Sequence, residues 1–246
     1  MSLKGKVAVV TGGGSGIGRA ICIQLAKDGA ALAVWDLNRS AAEETVAMVD
    51  GANGRAIACS GDASTVDGIA SAYARTRSEL GSVTILVNNA AITGMLPFID
   101  MTEEQWDRMI RINLKGPFLC TKAIVPDMLA AGWGRIVNIS SSSAQLGVPY
   151  MSHYVTSKAG IIGFTRSLAM EYADKGITVN NIPPGYIDTP MLRATARNFE
   201  STVAASPMKR AGKPEDIAAA CSYLVSEAAG YVTGQTISVN GGRFLA

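Results

Sequence analysis

The chain has 246 residues, 48% of them hydrophobic and 17% charged, which suits one sizeable core and excludes a disordered chain. A formal net charge of +2 gives no footprint for nucleic acid or an anionic membrane. The longest uncharged run, 81–99, is interrupted by Asn88, Asn89, Thr93, Gly94 and Pro97, so no membrane span is expected.

Short apolar runs alternate with amphipathic stretches, the pattern of βαβ units around a parallel sheet. Strands are expected at 6–10, 31–35, 55–59 and 83–87. Between them lie a helix over 17–28 stopped by Gly29, one capped by Ser40 and running to about Val49, and one running through Tyr73. A long helical region follows over about 103–130, with Pro117 and Pro126 inside to bend or divide it. Strands at 135–139 and 177–182 then bracket the serine run 140–143 and a helix ending near Asp174. The stretch 183–214 reads as mostly irregular, and a helix (215–224) and a strand (235–239) close a single domain without repeat or linker. Cys22, Cys59, Cys120 and Cys221 form no CxxC and have no histidine cluster. They read as buried reduced thiols of a cytoplasmic protein, and no metal site is expected. No apolar signal-peptide region precedes the first strand.

The turn Thr11-Gly12-Gly13-Gly14-Ser15-Gly16-Ile17-Gly18 joins the first strand to the first helix. A dinucleotide pyrophosphate meets backbone amides and the positive end of a helix at such a place, and glycine permits the close approach. The spacing is not the literal G-x-G-x-x-G, so the turn alone is equally compatible with a plain tight connection. Asp36 decides between the two. It ends the second strand eighteen residues after Gly18, near the ~20 expected for a carboxylate on the adenine ribose hydroxyls. Beside a 2′-phosphate the same carboxylate would cost about 1–4 kcal/mol. With Ser15 and no Lys or Arg in the turn, NAD is expected ahead of NADP, and Arg39 is the one nearby cation that speaks for NADP.

His153-Tyr154-Val155-Thr156-Ser157-Lys158 opens the helix after the serine run. Tyr154 and Lys158, four residues apart, share one helix face. An ammonium beside a phenol favours the phenolate against its ordinary pKa of ~10, so the two form a candidate acid/base pair. Adjacent helical residues face apart, and His153 is read as structural or as part of the substrate rim.

Together these features resemble the short-chain dehydrogenase/reductase family over essentially the whole chain. The resemblance rests on the glycine turn, Asp62, Asn88-Asn89-Ala90, Asn113, Ser141 thirteen residues before Tyr154, Lys158, Pro184-Gly185 and Thr189-Pro190. Two departures stand out: Ala91 where the family has glycine, and an extra proline, Pro183. The resemblance implies a Rossmann-type α/β fold, a doubly wound seven-stranded parallel sheet in one domain, assembled as a homotetramer. It also implies roles. Tyr154 would exchange a proton with the substrate oxygen, and Lys158 would hold the nicotinamide ribose and lower the Tyr154 pKa. Ser141 would orient the substrate oxygen (Ser142 being the next candidate), and Asn113 would keep a water-linked relay to Lys158. The cofactor would lie along Gly12, Ser15, Gly16, Ile17, Gly18, Asp36 and Leu37. Asp62 and Ala63 would sit near adenine, Asn89 near the nicotinamide-side ribose, and Ala90 would also bind the cofactor. Ile187 would sit at the carboxamide and Thr189 near the phosphates, with Pro184 and Gly185 also binding the cofactor.

The family places a substrate lid over about 186–212. Here it carries Met191, Leu192, Phe199 and Met208, with Arg193 and Arg197 interspersed. With Ser141, Leu146, Tyr150 and Tyr186 it suggests a mainly apolar pocket for a small-molecule secondary alcohol or ketone, cyclic or aromatic. The alternative is an NADPH-dependent 3-oxoacyl-[acyl-carrier-protein] reductase. The basic docking pair of those enzymes corresponds here to Gly132 and Lys175, so only one charge is kept. A non-catalytic dinucleotide sensor is a third reading, disfavoured by the intact proton-transfer set.

Overall fold

A computed structural model describes residues 2–51, 54–195, 198–204 and 206–245; Arg197 lies outside them. Six strands form one parallel sheet: β1 (Val7–Thr11), β2 (Ala31–Asp36), β3 (Arg55–Ser60), β4 (Ile85–Asn88), β5 (Gly134–Ile139) and β6 (Ile177–Ile182). Their order is β3-β2-β1-β4-β5-β6. The helices are α1 (Gly16–Lys27), α2 (Arg39–Asp50), α3 (Val66–Leu80), α4 (Glu103–Ile110), α5 (Gly116–Ala131), α6 (Ser143–Leu146), α7 (Ser152–Tyr172), α8 (Pro190–Thr195), α9 (Phe199–Ala204) and α10 (Pro214–Val225).

Every residue of β1, β4, β5 and β6 is buried, as strands covered on both faces must be. Side chains alternate across the sheet. Ala8, Val10, Leu32 and Val34 pack with Ile21 and Leu25 of α1 and Ile217 and Leu224 of α10. Val7, Val9, Ala33 and Trp35 pack on the other face with Ile69 of α3, Ile124 and Met128 of α5 and Ala169 of α7. The Trp35 indole N–H, which would be costly to bury unpaired, donates to Thr76 Oγ1 at 2.9 Å.

Several boundaries differ from the sequence reading. Asn38, not Ser40, caps α2, its side chain accepting from the Ala41 N–H at 3.2 Å. Thr65 caps α3, which runs past Tyr73 to Leu80 and stops at Gly81. The long helical region is divided at a π-helical turn, Arg111–Lys115. Pro117 has no N–H for the Asn113 carbonyl four residues earlier, and the ladder widens there, the Gly116 N–H reaching Arg111 O. Within 183–214, α8 and α9 replace part of the irregular stretch.

The seventh strand is not formed as a ladder. Segment 235–239 makes two isolated parallel bridges, Asn181↔Thr236 and Pro184↔Val239. The Asn181 N–H donates to Gln235 O and the Ile237 N–H to Asn181 O, both at 2.9 Å, and the Gly185 N–H donates to Val239 O at 3.0 Å. The next donor in that register is residue 183. Proline there supplies none, so the bridges stay separate. Among the described residues no helix is long and apolar enough to cross a membrane.

Candidate active site

Strand order reverses between β1 and β4, and a cavity of about 740 Å³ opens there, beyond the carboxyl ends of the strands where doubly wound sheets bind ligands.

At one end the wall is the glycine turn. Gly12 (φ +64°) and Gly16 (φ +50°) occupy the left-handed region and line the cavity with Ser15 and Ile17. Ser15 is the N-cap of α1 but its side chain makes no capping bond, so the first-turn N–H groups have no side-chain acceptor there and are available to an anion. The Asn89 amide donates to Thr11 O (3.0 Å) and Gly12 O (3.1 Å), and Thr11 Oγ1 accepts from the Asn89 and Ala90 N–H groups. These bonds lock the turn to the end of β4. Ala91 lines the cavity without a positive φ, so the position tolerates a side chain.

Gly18 is the one expected cofactor residue that does not line the cavity. A Cβ there would collide with Gly12 O and stand 2.6 Å from Asn89 Nδ2; its role is to let α1 close on the turn.

Asp36 and Leu37 continue the wall. The Asp36 carboxylate accepts from the Gly14 N–H at 2.9 Å and the Asn38 N–H at 2.8 Å, one bond per oxygen, leaving each oxygen a lone pair for a ribose hydroxyl. The nearby cations are engaged: Arg19 pairs with Glu44 at 2.6 Å and Arg39 with Glu43 at 2.8 Å. Asp62 and Ala63 lie beyond. Burial alone would raise the Asp62 pKa, but the Ser64 hydroxyl and N–H, with Arg111, hold it below the usual range. The charge-favouring end and the glycine cradle fit a dinucleotide.

At the other end Ser141, Tyr154 and Lys158 line the cavity together. Lys158 is buried and donates to Ile139 O at 2.9 Å; burial pushes its pKa down to about 8. Burial raises the Tyr154 phenol, and the Ser141 hydroxyl and the charge of Arg243 pull it back. Arg243 is thus a second cation at this end of the cavity, beside the expected Lys158. Ser142 Oγ faces Arg243 instead of the cavity, which leaves Ser141 as the serine beside Tyr154.

Asn113 does not line the cavity. Fully buried, it bonds both polar groups of Ile92 at 2.9 Å and donates to Ser157 Oγ at 3.2 Å, tying the loop after β4 to the turn of α7 next to Lys158. His153 is buried, beside Gly94, and also lies outside the lining. Pro184, Gly185, Ile187 and Thr189 line the far wall, with Tyr150, Tyr186, Met191 and Leu192 at the substrate side. Leu146 does not line it: it ends α6, is 49% exposed, and Gly147 (φ +74°) turns the chain away after it. Tyr150 is held at φ +64°, a conformation costly for a bulky residue and typical of functional loops. Cys120 also reaches the wall, its thiol pushed up to about 12 by burial, so it is no nucleophile.

A dinucleotide cradle opposite a tyrosine–serine–lysine cluster is the site of an NAD(P)-dependent oxidoreductase acting on a CH–OH group. Comparison with known proteins agrees. Residues 12–243 match the family model described as enoyl-(acyl carrier protein) reductase. The chain is 44% identical to nodulation protein G of Azospirillum brasilense, covering 96% of this chain and 97% of the relative. It is 43% identical to the acetoacetyl-CoA reductase of Cupriavidus necator over 98% of both. It is 37% identical to the 3-oxoacyl-[acyl-carrier-protein] reductase FabG of Thermotoga maritima over 100% of both. The chain belongs to the short-chain dehydrogenase/reductase family.

Proposed function

We propose that the chain reduces the ketone of a 3-oxoacyl thioester, with NAD(H) as its nicotinamide partner. The observation that carries the reading is the convergence of Ser141 and Tyr154 at one end of the cavity, in a chain whose relatives include an acetoacetyl-CoA reductase and a 3-oxoacyl reductase. They favour this substrate over the apolar cyclic or aromatic alcohol first expected from the lid. The nicotinamide supplies the hydride when bound. Tyr154 gives the proton to the ketone oxygen, Ser141 holds that oxygen by a hydrogen bond, and Lys158 keeps a cation on the same wall. Asn113 fixes the floor beneath Lys158 through Ser157.

NAD is favoured by the Asp36 carboxylate and by the engagement of Arg19 and Arg39 with glutamates. A coenzyme-A-borne substrate is favoured over a carrier protein. Gly132 ends α5 in the left-handed conformation and Lys175 pairs with Asp174 at 2.9 Å, so no basic pair stands there for an acidic carrier. The apolar alcohol stays as a second reading because Ile92, Met95, Val148, Met191 and Leu192 line the pocket. Exposed Phe118 and Leu129 on α5 and Met170 on α7 support association of copies, in keeping with a tetramer.

The deciding experiment measures nicotinamide absorbance with acetoacetyl-CoA and with cyclic and aromatic ketones, each with NADH and NADPH. Acetoacetyl-CoA with NADH is expected to be fastest. Tyr154→Phe should lower kcat by about 10²–10⁴-fold while leaving NADH binding near normal. Faster turnover of the cyclic ketones would hand the case to the second reading.

A further inference from the structure

Arg243 was not singled out by any sequence motif, yet it lines the cavity. After Val239 the chain turns at Gly241 (φ +64°) and Gly242 (φ +81°). The turn is fixed by the Gly242 N–H on Asn240 Oδ1 (2.9 Å) and the Asn240 amide on Phe244 O (3.0 Å). Gly185 admits this turn, because a Cβ there would lie 2.5 Å from Asn240 O. The chain end is thereby folded back onto the wall that carries Ser141.

The guanidinium is held at three points. Its Nη1 donates to Ser142 Oγ at 2.9 Å and Ser143 Oγ at 3.3 Å, and its centre lies 4.2 Å from the Tyr186 ring centroid. Its Nε and Nη2 have no acceptor among the described residues, and no carboxylate pairs with it there. The arginine is half-buried on the cavity wall, so its position is fixed while its remaining N–H groups are available to an oxygen acceptor that enters the cavity. It stands near enough to Tyr154 for its charge to act on the phenol. Arg243 bonds Ser142 and Ser143, the two residues after Ser141, so a substrate whose ketone oxygen sits at Tyr154 and Ser141 shares one cavity wall with these free donors, and a second oxygen two carbons along has them as its charged partner there.

We propose that Arg243 is a specificity residue that donates to the C1 oxygen of a 3-oxoacyl substrate, either a thioester carbonyl or a free carboxylate. This rests on the 3-oxoacyl reading above and adds the group that distinguishes such a compound from a plain ketone.

The test compares kcat/KM for acetoacetyl-N-acetylcysteamine, acetoacetate and 2-pentanone in the wild type, Arg243→Met and Arg243→Lys, each with NADH. Arg243→Met should lower the ratio of the better oxygenated substrate to 2-pentanone by about tenfold to a hundredfold, and Arg243→Lys should keep part of it. A larger drop for acetoacetate identifies a carboxylate; a larger drop for the thioester identifies the carbonyl. An unchanged ratio overturns the inference, whether all three substrates suffer equally or none does. Loss of NADH binding by fluorescence titration in both variants also overturns it, in favour of a structural clamp. A wild type that takes 2-pentanone and neither oxygenated compound sinks the 3-oxoacyl reading itself. A wild type that prefers them while Arg243→Met keeps that preference sinks only the role of Arg243.

Discussion

At the Asp36 end of the cavity the wall is largely backbone, with Gly12, Gly16 and the first turn of α1 facing the space and Asp36 fixed by two main-chain N–H groups. At the Tyr154 end it is side chains: Ser141 after β5, Tyr154 and Lys158 from α7, Met191 and Leu192 from α8, and Arg243 from beyond 239. A backbone wall tolerates little change of shape, because its glycines pack against main chain and fixed side chains, Gly12 against Ala90 and Asn89 and Gly18 against Gly12 O. A side-chain wall assembled from distant segments can change its chemistry one residue at a time. One end thus defines the cofactor class, and the other leaves room for different substrates on the same frame.

The contrast can be broken most severely at Gly18. A branched side chain there collides with Gly12 O, which is main chain and cannot swing aside. Gly18→Val should lose about 3 kcal/mol or more of stability together with NADH binding, read by thermal melting and fluorescence titration. Gly163, on α7, is the control: a methyl group there would meet nothing within 4 Å, and Gly163→Ala should gain about 0.5–1 kcal/mol.

Lys158 sharpens the contrast from the other side. Its pKa in the fold is about 8 against an ordinary 10.5, so the unfolded chain binds more protons between those values. Stability therefore rises with pH from about 8 to 10.5, and the full cost of charging the buried amine is present below 8. Lys158→Met should be inactive yet more stable by about 1–3 kcal/mol at pH 7, and that gain should vanish by pH 10.5 in parallel melts. A smaller effect is expected at Asp36. Asp36→Asn removes the charge that repels a 2′-phosphate, and the ratio of NADPH to NADH in kcat/KM should rise about tenfold.

How much of this was legible in the sequence follows the same division. The strand and helix order, the glycine turn and Asp36 were readable because they depend on local spacing. Ser141, Tyr154 and Lys158 were readable as a family pattern, and they do share one wall. Gly18 and Asn113 were readable as site residues but not as packing residues, because what they meet, Gly12 O with the Asn89 amide and Ile92, depends on how the glycine turn and the loop after β4 fold. Leu146 was misplaced by a turn at Gly147. Arg243 was missed altogether; the only hint was the Asn240-Gly241-Gly242 reversal that follows the last apolar run, which says that the chain turns back but not what it meets. Ser40 lost its cap to Asn38 because two nearby polar residues offer the same chemistry.

Pro183 gives the last strip of the sheet an uneven grip. Segment 235–239 is bridged to Asn181 of β6 at one end and to Pro184, just beyond β6, at the other, with no ladder bond at residue 183 between them. Because Val239 accepts from the Gly185 N–H and the strip leads directly into Arg243, one short segment seats both the wall beside the nicotinamide end and the arginine at the substrate end.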